Sequence, residues 1–179
     1  MKENLAGIED YTRIGSLLQP EQIVKYGELT LRENQIAYAE PSFFRLFDFE
    51  LLKGDKKTCL SMPGQVVITE RIASKYFKDE DPIGKIFIFT GAYDKISCEV
   101  TGVMKEMPSN SHIHYSFLIS YKSLPKYMQE YWYKHEAYTY VLLDSPERKA
   151  EIEREFPVMA EKYKTDEALK NKTWGVSLI

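Results

Sequence analysis

The chain has 179 residues, of which 44% are hydrophobic and 28% charged, and its formal net charge is −3. This length suits one domain or two small lobes, and such an apolar content with so small a net charge excludes a disordered chain. A nucleic-acid-binding function is not expected, because the lysines are scattered among acidic residues and form no basic stretch for phosphate groups.

The first third of the sequence predicts strands and one short helix. Alternating apolar and polar residues indicate strands over 8–14 and 22–40, the second broken by turns at Gly27 and 32–35. Pro41 suits the first position of a short helix, and three phenylalanines follow it at the spacing of one helix face. The large rings expected in the core, here and in the next helix, are Phe43, Phe44, Phe47, Tyr76 and Phe77.

The remainder mixes strands with helices. A β-branched run at 65–68 predicts a buried strand, and Thr69 is placed to cap a helix over 70–77. A second helix is predicted from about 145 to 164, and Pro157 should kink or interrupt it. The other predicted elements are strands at 49–52, 85–90, 96–105, 112–120 and 137–143 and a short helix within 121–135. Because strands outnumber helices and the two kinds are mixed, the predicted fold class is α+β.

Two histidines are the sharpest enzyme-like feature. On the predicted strand 112–120, His112 and His114 would point to the same side. Two imidazoles on one face could bind zinc, but zinc needs three or four protein ligands and no third is evident nearby. The alternative is that His112 holds a turn.

Other candidates for chemistry are weaker. A serine nucleophile among Ser109, Ser111 and Ser116 would need a hydrogen-bonded histidine and an orienting acid, and the sequence has no GxSxG motif. The acidic run 79–81 lacks the ligand spacing of an EF-hand and is interpreted as a solvated turn. No glycine-rich nucleotide-binding motif occurs. The chain is therefore not predicted to be an enzyme, and no cofactor or metal is expected in it.

An aromatic band runs from Tyr121 to Tyr140 and is the best candidate for a partner surface, since Tyr and Trp are enriched in interfaces. The residues expected to carry this surface are Tyr127, Tyr131, Trp132 and Tyr133. Simple core packing of the same rings is the alternative.

The two cysteines, Cys59 and Cys98, form no CxxC motif and no disulfide framework. They are either two partly buried thiols or a single Cys59–Cys98 bridge, which depends on a Cα separation that sequence does not provide.

Three stretches, in this order and spacing, point to one family. They are 39–55 (AEPSFFRLFDFELLKGD), 66–85 (VVITERIASKYFKDEDPIGK) and 100–113 (VTGVMKEMPSNSHI). Together they resemble the MacB-like periplasmic core domain of FtsX-like ABC transporter permeases. One departure is Lys78, which stands where the family commonly has glycine, so that the loop is expected to be less tight.

The resemblance implies a mixed two-lobe domain, with a porter-like α/β lobe and an inserted β-rich, sabre-like lobe. The porter-like lobe would comprise 1–48 and 134–179, and the sabre-like lobe 49–133. No apolar run reaches the roughly 18 residues of a membrane span. The last residues, 174–179, have the composition of an apolar strand without a terminator, so we expect the chain to be a piece of a longer protein.

The resemblance also implies a function. Such a domain would lie on the periplasmic face of the bacterial inner membrane, between the first two transmembrane helices of a permease. It would couple motion driven by a separate cytoplasmic ATPase to a periplasmic partner or an exported substrate, with a second permease copy in the assembly, and would catalyse nothing itself. The alternative is a stand-alone extracytoplasmic sensor domain that binds a small ligand or peptide.

Overall fold

The computed structural model describes residues 6–15, 21–91, 95–129 and 137–163. The strands, in chain order, are β1 (Ile8–Gly15), β2 (Gln22–Tyr26), β3 (Leu29–Glu33), β4 (Ile36–Ala39), β5 (Leu51–Gly54), β6 (Gln65–Thr69), β7 (Ile86–Thr90), β8 (Lys95–Met104), β9 (Phe117–Ser120) and β10 (Ala137–Leu143). The helices are α1 (Phe43–Leu46), α2 (Glu70–Phe77), α3 (Lys126–Gln129) and α4 (Arg148–Tyr163), with a 3-10 turn at Tyr121–Ser123.

The strands of the described ranges form one mixed sheet in the order β10-β1-β4-β9-β6-β8-β7-β2-β3, and β5 pairs with β8. The pairs β4–β9 and β6–β8 are parallel, and the remaining pairs are antiparallel. Helices packed on such a sheet make the fold α+β, as predicted.

The two predicted lobes, 1–48 with 134–179 and 49–133, stay a prediction. Strands of both ranges lie in the same sheet, since β4 of the first range pairs with β9 of the second. The sabre-like character of the second range is likewise a prediction.

The core lies on both faces of the central strands, and β6 shows the alternation. Val66 and Ile68 are buried in a cluster on the α2 side, whereas Val67 is buried in a second cluster on the α1 side. All three are fully enclosed, which explains why this strand is a continuous apolar run.

The short helices predicted after Pro41 and over 70–77 both form, but α1 begins at Phe43 with Ser42 as its N-cap, so Pro41 precedes the helix and does not occupy its first position. In α1, Phe43 and Phe44 are buried, and Phe47 packs against the same cluster. In α2, the hydroxyl of Thr69 accepts a hydrogen bond from the backbone N–H of Ile72 at 3.4 Å and so caps the first turn.

The structure departs from the sequence prediction at the start of one strand and at a proline. The strand predicted over 112–120 begins only at Phe117, because 112–116 is a loop whose polar groups bond outside any ladder. The N–H of Ile113 bonds Ser111 Oγ at 3.0 Å, and the N–H of Ser116 bonds the Gln35 carbonyl at 2.8 Å. Helix α4 continues through Pro157 without interruption.

Lys78, the departure from the family pattern, occupies a conformation that favours glycine. Its φ is 55° and its ψ −111°, and its backbone N–H closes α2 by bonding the carbonyl of Ser74 at 3.1 Å. A side chain in this region costs on the order of 1–3 kcal/mol. The turn thus has the geometry that glycine provides, and lysine bears the strain.

We therefore expect Lys78→Gly to raise the free energy of unfolding by about 1 kcal/mol, because relief of this strain exceeds the entropy that glycine adds to the unfolded chain. Urea denaturation measures the change. Lys25→Gly in β2 is the control and should destabilise by roughly 0.5–1 kcal/mol. A Lys78→Gly protein that is less stable than the parent would refute the strain assignment.

Both cysteines are free and buried. Cys59 belongs to the cluster on the α1 side and Cys98 to the cluster on the α2 side. Burial raises the pKa of each thiol from 9.0 to about 12. The thiolate is the reactive form, so both side chains should be inert to thiol reagents in the native protein.

Candidate partner-binding surface

The fold separates the rings of the aromatic band. Tyr121 is buried at 6% exposure. Tyr127 on α3 is 58% exposed, and Tyr138 on β10 is 73% exposed. The band therefore begins with a ring that is packed in the core, and the exposed rings lie further along the sequence. The other three residues predicted for the surface, Tyr131, Trp132 and Tyr133, lie outside the described residues.

A single arginine ties the beginning of this band to the sheet. Arg13 of β1 donates from Nε to Glu40 Oε1 at 2.8 Å, and its Nη2 bonds the same carboxylate oxygen. Its Nη1 donates to the carbonyl oxygen of Gln129 at 2.6 Å, and its Cζ lies 4.2 Å from the ring centroid of Tyr121. We call these four residues the Arg13 anchor.

The Arg13 anchor compensates for the weak packing of α3, which buries none of its own residues. The side chain of Arg13 is 29% exposed and that of Glu40 16% exposed, so this ion pair is screened less than the surface pairs. Lysine would not reproduce these contacts, because it lacks the planar guanidinium that bonds a carboxylate through two nitrogens while stacking on a ring. The anchor thus fixes Gln129 directly before the remaining residues of the band.

A second feature is a cavity of about 280 Å³ beside β1 and β10. We call it the tyrosine cleft; its lining residues are Ile14, His112, Ile113, Tyr115, Tyr138 and Tyr140. Tyr138 and Tyr140 project from one face of β10 because they are two residues apart on a strand. Ile14, which pairs with Tyr138 across the ladder, forms part of the floor at 2% exposure.

Two neighbouring side chains fix the position of the Tyr140 ring. Its hydroxyl lies 2.9 Å from His112 Nε2, and Phe47 meets its ring edge-on at a centroid distance of 5.0 Å. Burial raises the pKa of Tyr140, and the neighbouring phenols of Tyr115 and Tyr138 raise it further. Burial and Tyr138 also raise the pKa of Tyr115. Tyr115 and Tyr140 therefore ionise less readily than a tyrosine in water.

His112 and His114 do not lie on a strand, the arrangement that would have placed both imidazoles on one side. They lie in a loop, so the same-side rule for a strand does not apply, and His112 instead contacts Tyr140. Within the part of the chain that the structure describes, no three His, Cys, Asp or Glu side chains gather as metal ligands. The hydroxyl of Ser116 bonds Gln35 Oε1 at 2.9 Å and accepts from Arg71 at 2.7 Å.

The acidic run 79–81 is a solvated turn, as interpreted from sequence. Glu80 pairs with Lys85 at 2.9 Å and Asp81 pairs with Lys53 at 3.0 Å. The hydrogen bonds from these lysines hold the pKa of each carboxyl below its usual value. Both acids thus have lysine partners from the protein itself.

Sequence reasoning missed Arg13 and Tyr115. In the alternating pattern of β1, Arg13 cannot be distinguished from any other polar residue. Its partners Glu40 and Gln129 are 27 and 116 positions away in the sequence. Tyr115 reaches the cleft from a loop. The one signal available for the cleft was the i, i+2 spacing of Tyr138 and Tyr140 on a predicted strand.

Solved structures of transporter domains share this fold. A domain of a putative permease protein from Porphyromonas gingivalis aligns with a TM-score of 0.77 at 22% identity, covering 94% of this chain and 76% of that chain. The periplasmic region of MacB from Actinobacillus actinomycetemcomitans aligns with a TM-score of 0.62 at 14% identity, covering 90% and 70%. The extracellular domain of the noncanonic ABC-type transporter YknZ from Gram-positive bacteria aligns with a TM-score of 0.62 at 16% identity, covering 93% and 82%.

The fold is therefore one found in extracytoplasmic domains of transporters. The family model for the MacB-like periplasmic core domain matches residues 1–157 of this chain. The protein belongs to this family, which confirms the resemblance seen in its three sequence stretches. No curated protein matches the chain. In the described ranges, no helix is long and apolar enough to cross a membrane.

Proposed function

We propose that this domain works in an ABC transporter permease as a non-catalytic coupling element on the periplasmic face of the bacterial inner membrane. Family membership over residues 1–157 is the observation that carries the proposal. A separate cytoplasmic ATPase would hydrolyse ATP, and the domain would transmit the resulting motion to a periplasmic partner or an exported substrate. A second permease copy would complete the assembly.

The first and last described elements of the chain contact each other, which suits a coupling role. Ile8 of β1 packs against Ile152 of α4, and the carbonyl of Gly7 accepts the N–H of Asp144 at 3.0 Å. In a permease, the segments beyond these ends would lead towards the membrane helices. Motion of those helices would therefore reach β1 and α4 together.

Strand β1 offers a path from this junction to the candidate partner surface. Its first residue, Ile8, contacts α4, and further along the same strand Arg13 holds Tyr121 and Gln129. A hydrogen-bonded strand is stiff, so tilting it displaces both ends. Two positions of β1, biased by the nucleotide state of the ATPase, would then present two arrangements of the surface around Tyr127.

A stand-alone sensor is the second candidate function, and the tyrosine cleft is the observation that favours it. The cleft offers apolar floor residues and a few convergent polar groups, the usual composition of a ligand site. Such a sensor would need no nucleotide-dependent motion, and that difference separates the two functions experimentally.

The test uses the complete permease reconstituted in liposomes with its ATPase enclosed inside. A cysteine is introduced by Tyr127→Cys and labelled with a membrane-impermeant maleimide. The native thiols give little background, because both are buried and their pKa is about 12. We expect labelling from outside at a rate that differs between the nucleotide-free state and the ATP-bound state of a hydrolysis-deficient ATPase.

Paired arginine variants test the path. In Arg13→Ala the label should still react, but its rate should no longer depend on ATP, because the tie between β1 and Gln129 is lost. Arg45→Ala, which breaks an exposed pair with Asp10 of the same strand, should retain the dependence. Protection from the outside reagent would refute the location, and equal rates with and without ATP would refute the coupling.

A further inference from the structure

The tyrosine cleft has an electrostatic character that its shape alone does not reveal. Among the lining residues that the structure describes, none is a carboxylate, a lysine or an arginine, and His112 is the one side chain that can become a cation. The remaining polar groups are three phenols. Each aromatic ring carries partial negative charge on its face, so a cation that met these tyrosines face-on would be attracted to them.

The phenols of Tyr115 and Tyr140 are partly withdrawn from solvent, which disfavours a charged group that its surroundings do not compensate. Burial raises the pKa of Tyr115 and of Tyr140, and their phenol neighbours raise it further. The same desolvation acts on a charged guest of either sign, so what separates cation from anion is whether the lining groups offset that cost. A positively charged guest would be favoured by the ring faces and by the phenol oxygens, which accept hydrogen bonds.

We propose that the tyrosine cleft binds the ammonium group of a small organic cation, with Tyr115, Tyr138 and Tyr140 as its aromatic contacts. Quaternary and methylated ammonium groups suit such a site, since they are recognised by aromatic walls rather than by carboxylates. The cavity volume of about 280 Å³ has room for a small organic ion of this kind. This site is independent of the coupling role and would exist in either candidate function.

The rings are held unequally, which defines how a ligand enters. Tyr140 is fixed by His112 and Phe47, whereas Tyr138 is 73% exposed. Tyr138 is therefore the ring free to close over a bound cation, and its replacement leaves the packing of the protein intact.

The experiment titrates the 179-residue chain with choline chloride and, separately, with 3,3-dimethylbutan-1-ol, the uncharged carbon isostere of choline. Tyrosine ring signals are followed by NMR at constant ionic strength. We expect choline to shift the signals of the cleft tyrosines and to bind about fivefold more tightly than the isostere, as one cation–aromatic contact predicts. Equal or tighter binding of the isostere would overturn the proposal, as would no shift with choline.

Three variants locate the site. Tyr138→Ala should weaken choline binding about fivefold, and Tyr138→Phe, which keeps the ring, should bind within about twofold of the parent. Tyr127→Ala removes an exposed tyrosine on α3 and should bind choline as the parent does. Choline binding that is unchanged in Tyr138→Ala, with a thermal unfolding curve like the parent's, would place the cation elsewhere and reject the cleft.

Discussion

Replacing Phe87 by alanine is expected to lower the free energy of unfolding by about 4 kcal/mol. Phe87 lies at the centre of the cluster on the α2 side and is completely buried. Its ring meets Tyr76 at a centroid distance of 4.9 Å, Phe77 at 5.4 Å and Phe117 at 5.8 Å. Alanine would remove these edge-to-face contacts. It would leave a cavity between a helix and the sheet, because these two elements cannot move together to fill the space.

Urea denaturation followed by circular dichroism measures this loss. The neighbouring residue Ile86 is the matched control, because it lies on the same strand but faces solvent at 56% exposure. Ile86→Ala should cost less than about 1 kcal/mol. A Phe87→Ala cost as small as that of the control would show that Phe87 does not organise the core.

The second large effect is expected for Gly54→Ala, which should cost about 3 kcal/mol or more. Gly54 has a φ of 96°, and a Cβ at this position would lie 2.4 Å from the carbonyl oxygen of Thr101. That oxygen belongs to the backbone of β8, so it cannot move without disturbing the pairing of β5 with β8. Alanine therefore meets both an unfavourable φ and a steric clash.

Gly27→Ala separates these two causes. Gly27 also has a positive φ, 55°, but a Cβ there would have nothing within 4 Å. Its substitution should cost about 1 kcal/mol, the conformational part alone. Denaturation curves for both variants, with hydrogen exchange of the β5 amides, check the comparison. If both variants cost the same, then the close approach of β5 to β8 contributes nothing.

Local patterns were enough for much of the secondary structure. The apolar run of β6, the cap at Thr69 and the phenylalanines of α1 act within a few residues, and each was confirmed. The strand predicted across 112–116 was wrong because a strand exists only where another strand pairs with it. In this loop Ser116 bonds Gln35, which lies 81 positions away, and no local pattern encodes that partner.

For the candidate surface, too, some features followed from local sequence and others depended on distant parts of the chain. The prediction from sequence placed a strand over 137–143, which is confirmed, but did not name Tyr138 and Tyr140 as sharing a face. It did not indicate that Tyr115 and His112 would meet them, because these arrive from a loop placed by β9. The exposed rings of the band could not be distinguished from buried Tyr121 either, since burial depends on what packs from elsewhere in the chain.

The sequence by itself determined the family, the α+β class and most helices and strands, since these depend on residue order, periodicity and turn chemistry. Only the tertiary structure decided the order of strands in the sheet, the Arg13 anchor and the tyrosine cleft. The physical reason is distance along the chain: the energy of the Arg13 contacts becomes available only after strands far apart in sequence have paired. A local sequence pattern does not specify which distant strands will pair.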